Sequence, residues 1–330
     1  MDPLSDVLRV VRLNGAFFYA VEASGPWLVE AVAATELCPR VLPEAEHLIS
    51  YHIVTDGRCF GGVAGEEMVE LVPGDVIVFP LGDPHVMASA PAAAREIPSY
   101  ASVPARYPDT VRLGGSGPLE TAFVCGFLGC DRRPFNPLLA TLPRRLHLRG
   151  LSRGWLEAFA QQVVEESRTQ RAGADTVLTR LAELMFIEVV RRYLEGLPAE
   201  QTGWLAGLRD PLVGKALALL HARPGHAWTL PELAQEAAGS RTRLAERFTE
   251  LLGYPPMQYL TLWRMQVAAN LLMQSGAKVA AVASEVGYES EAAFSRAFKK
   301  ATGLSPGGWR RRRQTAPAGT PATQWSPRAG

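Results

Sequence analysis

The chain has 330 residues, enough for two ordinary domains. With 47% hydrophobic and 20% charged residues it is neither disordered nor collagen-like, and no apolar run nears the ~18 residues of a membrane span. Met1-Asp2-Pro3-Leu4-Ser5-Asp6 lacks the order of a secretory signal, and four cysteines make no disulfide scaffold, so a reduced, cytoplasmic protein is expected. The net charge of +1 hides a split. Residues 206–313 hold fifteen Lys+Arg against eight Asp+Glu, a net of +7, and the remainder carries −6. A basic end on a mildly acidic body suits a nucleic-acid-binding module beside a second domain.

Residues 1–148 read as β-rich. Trp27–Val32, Leu48–Val54 and Asp75–Phe79 carry β-branched and aromatic residues between turn formers such as Asp56-Gly57 and Pro73-Gly74. Many short strands favour a sandwich or a small barrel. Residues 88–118 are rich in Ala, Pro, Gly and Ser and read as a loop excursion. Residues 149–205 form a helical linker, with helices over 151–168 and 174–195. The second repeats Leu178, Leu181, Met185 and Val189 at helical steps. It either packs on its own domain or makes a homodimer interface. Gly196 to Gly207 reads as a connection, residues 206–313 as all helix, and 314–330 as a disordered tail.

Within 230–252 a short helix with Leu233, Ala234 and Ala237 is followed by Gly239, which permits a sharp turn, and by Ser240, an N-cap. Leu244, Phe248 and Leu251 then mark a second amphipathic helix, completing a helix-turn-helix. The pattern returns about fifty residues later. Val279–Val286 is its first helix, Gly287-Tyr288-Glu289 the turn and Ser290–Lys300 the second helix. Phe294 and Phe298 match Leu244 and Phe248, and Gly303 matches Gly253. Pro256 to Gln274 lies between the units. As one helix it spans ~28 Å, near the ~34 Å between successive major grooves on one face of DNA.

These residues resemble the AraC/XylS family of transcription regulators over roughly 208–312. The match includes Gly253-Tyr254-Pro255-Pro256-Met257-Gln258-Tyr259-Leu260, Arg264-Met265, Leu271-Leu272, Gly287-Tyr288, Phe294–Lys300 and Gly303-Leu304-Ser305-Pro306. The resemblance implies promoter DNA as partner, RNA polymerase as a second one, and activation. It places Thr242, Ala245 and Glu246 of the first recognition helix, and Glu291, Ala292, Ser295 and Arg296 of the second, against base edges. Arg241, Arg243, Arg247, Lys299 and Lys300 are expected on phosphates. Glu246 stands where the family commonly has Arg, and it either reads DNA or pairs with Arg243.

In the first half, Pro73–His85 resembles the second cupin motif, with a glycine turn, a strand, then Pro80, Gly82 and His85. His52 is the sole candidate for the earlier motif. Phe123–Phe135, with Gly57-Arg58-Cys59, resembles the cupin-type sensor domain found on one branch of AraC-family regulators, which extends the likeness to most of 5–148. The expected fold class is therefore α+β multidomain: a cupin-like β-barrel, a helical linker and an all-α double helix-turn-helix domain. Cys125 and Cys130 with His85 and His52 offer up to four N and S ligands, the set that zinc favours. Buried reduced cysteines are the alternative. A redox switch through Cys38 or Cys59 as exposed thiols is a third reading. His47, His147, His221 and His226 show no partner spacing and are assigned to surface or packing. No nucleophile–base–acid order stands out. The expectation is a regulator, not an enzyme, controlled by a small molecule, metal or oxidant. The rival is a metal-dependent cupin enzyme with an accessory helical domain.

Overall fold

The computed structural model describes residues 2–11, 13, 16–43, 45–91, 110–115, 117–150, 155–169, 171–198, 200–274 and 276–314. The tail expected to be disordered lies outside them, apart from Gln314. Packing divides the described chain into two compact units, and the division departs from the expected limits at 148 and 205. One unit takes the described residues of Met1–Arg12, Asp131–Thr141 and Leu194–Pro317, and the other those of Leu13–Cys130 and Leu142–Tyr193. The N-terminal helix α1 (Pro3–Val10) thus belongs with the C-terminal helices. Asp2 caps it by accepting from the Ser5 amide at 2.9 Å, and Pro3 sits where no amide partner is needed.

The β-rich unit contains β1 (Ala16–Ser24), β2 (Leu28–Ala31), α2 (Ala34–Val41), β3 (His47–Gly57), β4 (Cys59–Val63), β5 (Val69–Leu71) and β6 (Val76–Phe79). It continues with β7 (His85–Ala88), β8 (Val111–Gly114), β9 (Thr121–Cys130), β10 (Leu146–Leu148), α3 (Trp155–Thr169) and α4 (Ala174–Glu195). The strands form a six-stranded sheet ordered β10-β6-β3-β9-β1-β8 and a four-stranded sheet ordered β2-β7-β4-β5. Among the described residues no ladder joins the sheets, so the expected closed barrel is here a pair of sheets. Trp27, Cys59, Leu71 and Met87 meet Tyr19, Ile77, Phe79 and Phe123 in one apolar core between them. β3 is buried over eight consecutive residues, His47, Ser50 and His52 among them, because α2 and α3 pack against this central strand. Gly126 on β9 is required by close approach, since a Cβ there would lie 2.2 Å from the Tyr51 ring.

The expected loop over 88–118 is not all loop. Val111–Gly114 forms β8, parallel to β1, and Val111 and Leu113 face its core. Residues 92–109 lie outside the described chain. In α4, Met185 and Phe186 are buried, whereas Leu184 is 52% exposed and Val177, seven residues earlier, 39% exposed.

The helical unit contains α5 (Trp204–Arg209), α6 (Pro211–Ala222), α7 (Leu230–Glu236), α8 (Arg241–Leu252), α9 (Pro256–Gln274), α10 (Val279–Glu285), α11 (Glu291–Thr302) and α12 (Pro306–Gln314). Two helix-turn-helix pairs, α7–α8 and α10–α11, repeat in detail. Ser240 and Ser290 each cap the following helix by accepting from the third amide on, and Gly253 and Gly303 each end it at φ 77. Leu244 and Phe248, like Phe294 and Phe298, are fully buried.

The first turn differs from its expectation. Ala238, not Gly239, takes the left-handed backbone at φ 62, where the second unit has Gly287 at φ 80. Gly239 is needed for space instead, since a Cβ would lie 2.5 Å from Leu212 Cδ1. The two turn positions should therefore respond oppositely. Ala238→Gly relieves a left-handed alanine and should stabilise the helical unit by about 0.5–1 kcal/mol. Gly287→Ala adds strain and a Cβ 2.5 Å from the Gly225 carbonyl, so it should cost about 2 kcal/mol or more. Urea unfolding midpoints measured at constant slope check both signs.

Candidate nucleic-acid interface and sensor core

The recognition helices present matched surfaces. In α8, Arg241, Thr242, Arg243 and Glu246 are exposed and Ala245 is half-buried. In α11, Glu291, Ala292, Arg296, Lys299 and Lys300 are exposed and Ser295 is half-buried. Thr242 and Glu246 lie two residues from Leu244, and Ala292 and Arg296 two residues from Phe294, so each pair faces away from its core at ~100° per residue. Thr242 and Glu246, and Ala292 and Arg296, thus share outward faces, and the exposed Arg241, Arg243, Lys299 and Lys300 lie on the same helices. Arg247 departs from the expected phosphate role. Its Nε donates to Asp210 Oδ2 at 2.8 Å and its Nη1 to Glu250 Oε2 at 2.9 Å. Asp210 also caps α6 through the Leu212 and Val213 amides, so Arg247 ties α8 to the start of α6. Glu246 does not pair with Arg243, and has no ion-pair partner among the described residues.

Arg264, part of the Arg264-Met265 motif, sets the relation between the two pairs. Arg264 on α9 donates from Nε to the Pro224 carbonyl and from Nη2 to the His226 carbonyl, both at 2.7 Å. Half-burial lowers its pKa without supplying a carboxylate partner. The loop it holds meets the α10–α11 turn backbone to backbone. A Cβ on Gly225 would lie 2.4 Å from the Glu285 carbonyl. His221, assigned to packing, is buried as expected. It stacks on Trp263 at 4.0 Å with Nε2 2.7 Å from the Tyr259 hydroxyl, and burial lowers its pKa to about 3. His226 meets Glu232 at 2.7 Å, His147 meets Asp75 at 3.1 Å, and His47 donates to the Pro80 carbonyl at 2.7 Å.

In the β-rich unit, strand register places His52 opposite Cys125, and His85 reaches them from the other sheet. His52 Nδ1 lies 2.9 Å from Cys125 Sγ, and His52 Nε2 lies 2.8 Å from His85 Nε2. His85 Nδ1 lies 3.1 Å from the Asp83 carbonyl, and Tyr19 is hydrogen-bonded to Cys125. One proton arrangement satisfies every contact. The carbonyl only accepts, so His85 carries its proton on Nδ1 and accepts at Nε2. His52 then donates from Nε2 and accepts at Nδ1 from the Cys125 thiol, whose sulfur accepts from the Tyr19 hydroxyl. Burial keeps each member neutral. It lowers His85 to about 4 and His52 well below its ordinary value, and raises Cys125 to about 12.

This geometry bears on the expected ligand set. Cys130 is five residues from Cys125 on a regular strand, so it faces the opposite side of the sheet and does not join the cluster. Cys125 addresses one nitrogen of His52 and His85 the other. No three His, Cys, Asp or Glu side chains among the described residues converge as a metal cradle. Cys38 and Cys59, expected as exposed thiols, are both buried. Burial and then Glu46 raise the pKa of Cys38, and burial and then Asp75 raise that of Cys59 to about 12, which leaves both as unreactive thiols. Tyr19 has no local signal in the sequence, because only strand register brings it opposite Cys125, whereas the Asp83 carbonyl stands two residues before His85.

The sign of the pH dependence follows. Both histidines titrate lower in the folded chain than the ordinary 6.5, so the unfolded chain binds protons first as pH falls. Their contribution is complete above pH 6.5 and is lost from there down towards pH 4. The β-rich unit should weaken over that window by at most about 1.4 kcal/mol per pH unit for each histidine. Urea unfolding followed by Trp27 fluorescence at pH 7, 6, 5 and 4 measures the slope. A His52→Gln/His85→Gln chain should be much flatter.

Comparison with known proteins completes the picture. A cupin family model matches residues 2–195 and a helix-turn-helix domain model matches residues 233–312. An AraC-like transcription regulator of Streptomyces antibioticus is 34% identical over 94% of this chain and 99% of its own length. The transcriptional regulator AlkR of Acinetobacter baylyi is 27% identical over 93% of this chain and 98% of its own. Among solved structures, the DNA-binding domain of AdpA in complex with a target DNA is 32% identical, with 33% of this chain and 99% of that one covered at a TM-score of 0.31. Such relatives are transcription regulators rather than enzymes, and no helix among the described residues is long and apolar enough to cross a membrane. With both domain types in order along one sequence, the chain belongs to the AraC family of DNA-binding helix-turn-helix transcription regulators and carries an N-terminal cupin domain.

Proposed function

We propose that the chain is an effector-controlled activator that reads two consecutive major-groove segments of a promoter with α8 and α11. The observation that carries this reading is the repeated outward face of the two helices, each backed by the same buried pattern and closed by the same caps. In this reading Thr242, Ala245 and Glu246 meet one segment, and Glu291, Ala292, Ser295 and Arg296 the next. The Arg296 fork fits O6 and N7 of guanine, and the glutamates can accept from cytosine amino groups. Arg241, Arg243, Lys299 and Lys300 hold phosphates, which set affinity and register without carrying sequence. Arg247 is left out because Asp210 already holds it.

The cupin unit takes the signal, a small molecule, by binding one arrangement of the chain better than another. RNA polymerase is the partner that activation requires. A second copy of the chain fits α4, where Val177 and Leu184 are exposed one heptad apart.

The test uses the full chain and a duplex selected from a random pool. Binding should prefer the selected duplex and fall steeply with salt. Arg296→Ala should lose about 1–3 kcal/mol of discrimination at one base pair and little elsewhere. Lys299→Ala should weaken all duplexes alike and lower the salt slope by about 1. Equal affinity for selected and random duplexes refutes the reading, and an unchanged preference in the Arg296 variant refutes that residue's role.

A further inference from the structure

Residues 131–141 follow β9 directly in the chain, yet they pack within the helical unit. Their anchor is Phe135. Its amide donates to Oε1 of Gln266 on α9 at 2.9 Å, and Gln266 is 2% exposed. Its ring lies edge-on to Tyr259 at 5.5 Å and to Tyr254 at 6.4 Å. Tyr259 in turn meets Phe248, on the buried face of α8, at 5.6 Å, and its hydroxyl accepts from Trp204 at 2.8 Å. Asn136 stiffens the segment, with Nδ2 donating to the Asp131 carbonyl and Oδ1 accepting from the Leu139 amide. The seat of the first recognition helix therefore includes a piece of chain that continues the strand bearing Cys125. Phe135 has no ring contact with Phe294 or Phe298, the buried face of α11.

We propose that Phe135 and Gln266 are positioning residues for DNA reading. The segment after β9 sets the placement of α8 through Tyr259 and Phe248, so a change in β9 alters reading of the α8 segment and leaves the α11 segment alone. The proposal rests on the regulator reading above and adds where the signal enters. A packing role alone would weaken both segments together.

The experiment compares the full chain with Gln266→Leu and Phe135→Leu chains at one salt concentration. The probes are the selected duplex and two versions, each scrambled in one segment. The segment whose scrambling costs little in an Arg296→Ala chain is the one that α11 reads. Each Leu variant should bind the selected duplex at least fivefold more weakly. Each should also lose the penalty for scrambling the α8 segment while keeping the α11 penalty within twofold. Equal loss at both segments, or no loss in either, overturns the proposal. If the Leu variants do not fold, amide exchange at Phe135 in the unaltered chain decides. Slowing of at least fivefold by the selected duplex over a fully scrambled one supports the proposal, and an unchanged rate overturns it. If the unaltered chain binds selected and scrambled duplexes alike, the regulator reading fails and this proposal falls with it.

Discussion

One guanidinium organises the DNA-binding half. Arg264 projects from the middle of α9 into the loop between α6 and α7, where two carbonyls of that loop accept from its planar fork. The loop then lies flush against the turn of the second helix-turn-helix because Gly225 and Gly287 carry no side chains. The two pairs have separate apolar cores, one around Leu244, Phe248 and Tyr259 and one around Phe294 and Phe298, and separate cores leave their mutual angle free. A charge-assisted fork removes that freedom, because its donors are fixed in one plane. A lysine would supply charge without direction. The proposed reading of two DNA segments in phase needs direction.

The β-rich half is organised by a different constraint, the cost of charge in an apolar interior. Its polar side chains survive there as a chain of neutral hydrogen bonds that runs from Tyr19 through Cys125 and His52 to His85 and ends on a backbone carbonyl. Cys125, His52 and His85 each have both a donor and an acceptor duty, so none of these links can be altered without disturbing the next. The chain also crosses between the sheets, since His52 stands on β3 and His85 on β7.

Much of this was legible in the sequence. The double helix-turn-helix was readable because its signals are local: apolar steps of three and four, serine caps and glycine ends. The family likeness added which outward residues to propose for DNA contact. What escaped was whatever depends on contacts between distant parts of the chain. Gly239 looked like the turn residue because glycine tolerates the left-handed region, but its true constraint is Leu212, which is remote in sequence. Arg247 looked like a phosphate ligand because Asp210 is thirty-seven residues away. Cys125 and Cys130 looked like partners because a Cys-x4-Cys spacing says nothing about strand parity. The placement of residues 131–141 in the helical unit left no local trace at all, since Phe135 and Gln266 are 131 residues apart.

The turns of the two helix-turn-helix pairs differ in length. Two residues lead from Ala238 to the cap at Ser240, but three from Gly287 to the cap at Ser290. The faces they present also differ, with Thr242 and Glu246 on one and Ala292 and Arg296 on the other. A reader made of two unlike halves in one chain has no twofold axis. On the proposed reading of two segments, the target would have a beginning and an end, and a single bound molecule would point one way along the duplex. Symmetric dimers that bind palindromes lack this property. On that reading, the directionality that a start site for transcription requires is a property of one polypeptide and needs no second copy.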